Sequence, residues 1–234
     1  MSSPDVRAAP SPPPAVRCER VSRVYPAAQP VVALDSVDLA IPAGEFLAVV
    51  GPSGGGKSTL LHLIAGIDRP TTGAIRVGGR DVATFSEREL TLYRRREVGV
   101  VFQFFNLLPH LTVRENVELP RLLDGKRDAA SRAKELLQRV DLARRSDAYP
   151  GELSGGEMQR AAIARGLVTG ARLLLADEPT GNLDSRHGEE VLFLLDEVRR
   201  ERGVTLILAT HSEAAARRAD RIVKLADGRM SPAS

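Results

Sequence analysis

The sequence predicts an α/β fold: a parallel sheet covered by helices on both faces, an antiparallel sheet laid against it, and an inserted helical subdomain. Three observations carry that prediction. Short apolar runs bounded by glycine or polar residues alternate with helical patterns, the rhythm of a parallel sheet buried on both faces. These runs are EFLAVV at 45–50, VGVVFQ at 98–103, RLLLAD at 172–177, VTLILAT at 204–210 and RIVKL at 221–225. Two segments break the rhythm. VVALDSVDLAIPAGE alternates apolar with polar residues, and GAIRVGGRDVA at 73–83 reads as a hairpin turned by paired glycines, which suits an antiparallel sheet. Finally, from about 105 to 168 the strand signals stop, and ASRAKELLQRV sets Ala133, Leu136, Leu137 and Val140 on one helical face.

The 234 residues suit one domain, here placed at 16–234, and 43% hydrophobic content is enough to bury a core. The opening MSSPDVRAAPSPPPAVR has no apolar centre, so it is no secretory signal, and its prolines predict a disordered, solvated tail over residues 1–15. Aromatics are only 4% and tryptophan is absent, which argues against a stacking-based binding surface. A net charge of +3 leans towards an anionic partner such as a nucleotide but falls short of a nucleic-acid footprint, so no nucleic acid is expected. The single Cys18 excludes an intrachain disulfide and fits a reducing cytoplasm. No apolar run approaches the roughly 18 residues that span a bilayer. Any membrane role is therefore borrowed from a partner.

Chemistry enters at GPSGGGKST. Gly51-x-x-x-x-Gly56-Lys57-Ser58 follows the buried strand 45–50 and opens the helix STLLHLIA, which Gly66 closes. Glycines, Gly54 and Gly55 among them, let backbone N–H groups ring a phosphate. The helix start adds positive potential, Lys57 a full charge for the β- and γ-phosphates, and the Ser58 hydroxyl a ligand for Mg²⁺. The chain thus reads as a P-loop nucleotide phosphohydrolase or kinase. No Asn-Lys-x-Asp motif is present to read guanine, which disfavours GTP. Downstream, LLLADEP ends a buried strand in two carboxylates, at the sheet edge where ligands bind. Asp177 is placed to hold Mg²⁺ through water, and Glu178 to orient and deprotonate an attacking water.

LSGGEMQRAAIARGL at 153–167 then poses a problem, because it opens a second helix on glycines. Ser154 and Glu157 match a capping box. A cap needs no paired glycines, however, and Gly155 and Gly156 each cost the helix about 1 kcal/mol relative to alanine. They leave N–H groups bare for close approach by a further phosphate. The phosphate on Lys57 already has a helix start of its own, so a second copy of the protein is the source that resolves the puzzle.

These residues, in this order, resemble the ATP-binding subunits of ABC transporters, over about 16–230. The resemblance implies a RecA-like P-loop core and a full set of parts. Tyr25 of RVYPA stacks on adenine, and Gly51 to Thr59, with Ser53, form the Walker A loop. Gln103 is the glutamine that touches Mg²⁺ and water, and Leu153 to Gln159 the signature motif. Asp177 and Glu178 form Walker B, Asp184 of GNLD the D-loop, and His211 of ATH the switch histidine. It also implies a head-to-tail dimer around two ATPs, the signature loop of one subunit capping the γ-phosphate on the Walker A loop of the other. Gly55 departs from the usual serine, and slightly more loop flexibility is expected there.

RELTLYRRREVGVVFQ and FQFFNLLPHLTVRENVELP further resemble the group of lipoprotein-releasing, macrolide-exporting and FtsE-type ATPases. That implies a separate permease of four transmembrane helices, docked on apolar surface offered by Phe104, Phe105, Leu107 and Leu108, and a place on the cytoplasmic face of the plasma membrane. Export or extraction of a lipophilic or peptide-like substrate is expected; an FtsE-like regulator of cell-wall enzymes through a non-transporting permease is the alternative. DNA-repair relatives with coiled coils or zinc modules, and translation-associated relatives with two cassettes per chain, do not fit.

Overall fold

The computed structural model describes residues 15–232, so the tail expected over residues 1–15 lies, Ala15 aside, outside the described residues. In chain order, β1 (Val16–Tyr25) and β2 (Val31–Ile41) form an antiparallel pair, and β3 (Phe46–Val50) leads into α1 (Lys57–Ile64). β4 (Thr72–Val77) and β5 (Arg80–Asp81) complete a four-stranded antiparallel sheet ordered β2-β1-β4-β5. α2 (Glu87–Arg96) returns the chain to β6 (Val98–Val101). Three helices follow before the next strand: α3 (Val113–Leu123), α4 (Ala129–Arg139) and α5 (Gly155–Leu167). Then come β7 (Leu173–Asp177), α6 (Ser185–Arg202), β8 (Thr205–Thr210), α7 (Glu213–Ala216), β9 (Arg221–Ala226) and β10 (Arg229–Pro232). The second sheet runs β10-β9-β3-β8-β7-β6, parallel throughout except where β10 turns back on β9.

Successive side chains of a strand point to opposite faces, so a strand buried on both sides divides its residues between two cores. Leu173, Leu175, Ile207 and Ala209 join the core shared with the antiparallel sheet and α1, whereas Leu174, Ala176, Leu206 and Leu208 join the helical core. Ala133, Leu136, Leu137 and Val140 all lie in that helical core, as the periodicity of α4 predicts. β1 is less legible. Its alternation Val16, Cys18, Val21 is interrupted where Arg20 takes φ 47° and the pairing slips between Cys18 and Val21, the signature of a bulge. β6 stops at Val101, where its pairing with β7 ends, so Phe102 and Gln103 belong to the following turn and not to the strand.

Helix starts divide into two kinds. α2, α3 and α5 carry reciprocal capping boxes, from Ser86 with Glu89, Thr112 with Glu115 and Ser154 with Glu157, and Asp184 caps α6. α1 starts at Gly56 with no side-chain cap. Its leading N–H groups are free for a ligand.

Candidate active site

The loop 51–56 is pressed between two strands. A Cβ at Gly51 would overlap the Leu225 carbonyl oxygen of β9, and one at Gly56, whose φ is +99°, would overlap the Ala33 carbonyl oxygen of β2. Glycine is thus required at both ends of the loop for close backbone approach. Gly55 is also confined, though less tightly: an added Cβ would lie 2.8 Å from Leu225 O and 3.1 Å from Pro52 O. Its N–H donates to Pro52 O at 3.1 Å and its carbonyl accepts from Gly228 N at 3.3 Å. The missing side chain at Gly55 lets neighbouring backbone close in. Lys57 is buried and folds back over the loop, donating to Gly51 O at 2.9 Å and Pro52 O at 3.0 Å.

Asp177 ends β7 and Glu178 begins the turn beyond it. Glu178 has φ 46°, unusual for a residue with a side chain. Its backbone N–H donates to Ala209 O at 2.9 Å, which ties the turn to β8. Glu178 Oε1 lies 3.7 Å from Lys57 Nζ. Its Oε2 accepts the His211 backbone N–H at 3.3 Å and sits 3.0 Å from His211 Nδ1. Lys57, Glu178 and His211, 154 positions apart at the extremes of the sequence they span (211 − 57), form one line of contacts over the loop.

Burial raises the Asp177 carboxyl above its ordinary range, against the opposing pull of the Ser58 hydroxyl. Asp177 Oδ1 is buried without a hydrogen-bond partner. A buried carboxylate oxygen with nothing bound to it beside a hydroxyl at a helix start is an all-oxygen set, suited to a hard cation. Among the described residues no three His, Cys, Asp or Glu side chains gather into a metal cluster. Mg²⁺ needs none, since it commonly keeps its waters and binds one or two carboxylates together with phosphate oxygens.

The other sequence-derived residues stand apart from this line. Gln103 lies against the turn after β7: Asn182 Nδ2 donates to Gln103 O at 2.9 Å, and a Cβ at Gly181 would come within 2.8 Å of Gln103 Nε2. Tyr25 donates its hydroxyl to Asp68 Oδ2 at 2.9 Å, and the Arg23 guanidinium covers one ring face, 4.4 Å from the centroid. At 154–157, Ser154 Oγ accepts from Glu157 N at 3.3 Å while Glu157 Oε2 accepts from Ser154 N at 2.8 Å. The box leaves the N–H groups of Gly155 and Gly156 outside it. Those glycines have a second role that the sequence does not disclose. A Cβ on Gly156 would stand 3.0 Å from His187 Cδ2, and one on Gly155 would stand 3.3 Å from Leu183 Cδ2. Small residues there admit the start of α6. No hydrogen bond or ion pair among the described residues joins Ser154–Glu157 to the loop 51–59.

Sequence reasoning passed over Asp68, Asn116 and His187. Asn116 is fully buried and holds Leu108 N, Leu108 O, Leu111 O and Thr112 O, pinning the segment before α3. A polar residue on the buried face of an amphipathic helix was the available signal.

An uncapped helix behind a glycine loop, a lysine over it and carboxylates at the end of β7, one strand removed from β3, define a P-loop nucleotide hydrolase. The ABC transporter family model matches residues 34–181. A lipoprotein-releasing system ATP-binding protein, LolD, of Geobacter metallireducens is 51% identical over 84% of this chain and 88% of its own. An ABC transporter ATP-binding protein of Mycobacterium tuberculosis is also 51% identical, over 86% and 82%. The macrolide export ATP-binding/permease protein MacB of Shigella flexneri is 45% identical over 92% of this chain, which spans only 34% of MacB. Among solved structures, the dimeric post-hydrolysis state of the ATP-binding cassette MJ0796, bound to ADP and Pi, superposes with a TM-score of 0.85 at 40% identity, covering 93% of this chain and 98% of that one. The chain belongs to the ABC transporter family, as an ATP-binding and ATP-hydrolysing cassette of the LolD and MacB type.

Proposed function

We propose that the chain hydrolyses ATP between two copies of itself and so drives a separate membrane permease, one that exports or extracts a lipophilic or peptide-like substrate. The observation that carries this is the line from Lys57 through Glu178 to His211. Lys57, released from its loop carbonyls, binds the β- and γ-phosphates, and the free N–H groups at the start of α1 take their oxygens. Glu178 takes the proton of the attacking water. His211, bonded to Glu178 Oε2, holds that carboxylate in place and leaves Oε1 facing the phosphate side. Ser58 and Asp177, with Gln103, would hold Mg²⁺, which when bound neutralises charge on the phosphate oxygens. Tyr25 stacks on adenine with the ring face opposite Arg23.

Ser154, Gly155, Gly156 and Glu157 complete the site of the second copy through the N–H groups that the capping box leaves free. The dimeric state of MJ0796 supports that arrangement. No helix among the described residues is long and apolar enough to cross a membrane, so coupling to transport requires a surface for a partner. Phe104, 73% exposed, and Leu108, 45% exposed, offer one just beyond Gln103, while Leu107 packs on the helical core. MacB, as its name states, combines ATP-binding and permease parts.

Light scattering tests the two-copy site. Glu178→Gln retains a hydrogen bond to water but cannot take its proton, so it is expected to bind ATP, hydrolyse none, and pass from monomer to dimer as ATP saturates. Adding Ser154→Arg should return it to a monomer that still binds ATP. A double variant that dimerises as well as Glu178→Gln alone would show that the signature loop does not face a partner's phosphate.

A further inference from the structure

His187 is an unassigned residue at the junction of two functional segments. It lies in the first turn of α6, three residues after Asp184, and makes three contacts with separate consequences. Its backbone N–H donates to Asp184 Oδ1 at 3.0 Å, the ordinary helix cap. Its ring Nδ1 lies 2.6 Å from Asp184 Oδ2, so both oxygens of one carboxylate are held by one residue. The opposite edge of the ring rests on α5, where Cδ2, Cγ and Cβ lie 3.0, 3.3 and 3.4 Å from the point a Gly156 Cβ would occupy. Those bonds hold the Asp184 carboxyl below its usual range, the backbone N–H contributing most and the ring next.

We propose that His187 is a positioning residue that clamps the Asp184 turn to the start of α5, so that the two segments meet the second copy's nucleotide as one rigid piece. The proposal rests on the two-copy reading above. The cap of α6 needs only the backbone N–H, and any residue but proline at position 187 preserves it. The ring adds what the cap cannot, since it fixes the second carboxylate oxygen and at the same time touches the helix that carries Ser154. Leu183 of the same turn reinforces the contact against Gly155, and Asn182 extends it to the Gln103 carbonyl. Three separated segments are thus mechanically joined, with His187 making the one side-chain hydrogen bond to Asp184 among the described residues. A clamp of this kind leaves ATP binding to Lys57 within one copy unaffected and acts when two copies meet.

Steady-state ATPase kinetics separate this role from a structural one. His187→Leu keeps a side chain against Gly156 but has nothing to offer Asp184 Oδ2. It is expected to lower kcat about tenfold, the loss of one charge-assisted hydrogen bond, with KM for ATP changed less than about twofold and the melting temperature close to native. His187→Asn, whose amide nitrogen stands where Nδ1 does, should restore most of kcat. Asp184→Ser preserves the α6 cap and removes the carboxylate, and it should reproduce the kcat loss; combining it with His187→Leu should add little further loss. Native kcat in His187→Leu, or a folded His187→Asn as slow as His187→Leu, overturns the proposal. If His187→Leu does not fold, native kcat in Asp184→Ser overturns it alone. Failure of the two-copy reading looks different: native turnover per chain would then be independent of protein concentration and insensitive to Ser154→Arg.

Discussion

The two glycine-rich helix starts, at 51–57 and 154–157, use glycine for opposite reasons. At 51–56 the glycines bring backbone onto backbone: Gly51 and Gly56 leave no space for a Cβ beside the Leu225 and Ala33 carbonyls, and Gly56 holds φ +99°. The helix behind them is uncapped, and a buried lysine covers the loop. At 154–157 neither glycine takes a positive φ, and the nearest atoms a Cβ would meet belong to side chains, Leu183 for Gly155 and His187 for Gly156. Their helix is capped by its own glutamate, whose carboxylate occupies part of the positive end. The first loop carries every group needed to hold a phosphate; the second offers two N–H groups and a hydroxyl but no cation of its own. The comparison teaches that a repeated motif need not repeat a function, and that the second loop is suited to finishing a site held elsewhere.

The comparison can be broken from either side, and the largest effect should come from the first loop. Lys57→Ala removes the loop's full charge and is expected to weaken ATP binding at least about 100-fold, the worth of two charge-assisted hydrogen bonds, as isothermal titration will read. Unchanged affinity would remove the distinction between the loops. Gly51→Ala should follow, destabilising the chain by about 3 kcal/mol in denaturant titration because the added methyl meets a backbone carbonyl that cannot swing aside. Gly156→Ala should have the smallest effect on stability. Alanine favours the helix by about 1 kcal/mol, which offsets a displacement of His187 by tenths of an ångström. A net change within about 1 kcal/mol, accompanied by slower turnover, would sharpen the contrast; a loss as large as that of Gly51→Ala would erase it.

Much of the fold was legible because burial on two faces leaves uninterrupted apolar runs, and all five runs are strands of the parallel sheet. The hairpin of β4 and β5 followed from Gly78 and Gly79. β1 was not read, since a bulge at Arg20 destroys the alternation that would have announced it. Within the candidate site, residue types and order were enough to select Lys57, Asp177 and Glu178, and the family resemblance added His211. What the sequence withheld was conformation and contact. Glu178 takes a positive φ and donates its N–H to β8, a partner set by sheet order. The tight seat of Gly55 depends on β9, and the fit of Gly156 on His187. Periodicity and motif spacing describe a residue's own element and do not say which distant element will lie against it.

The lysine folded onto the Gly51 and Pro52 carbonyls has a consequence for the life of the protein between ligands. An ammonium group stripped of water and left without acceptors is costly to bury. Here the loop's own oxygens act as a resting berth for the charge. Binding of a nucleotide phosphate by Lys57, as proposed above, would be a trade of one set of acceptors for another. Nucleotide exchange would therefore move this charge between two sets of oxygen acceptors and never leave it bare.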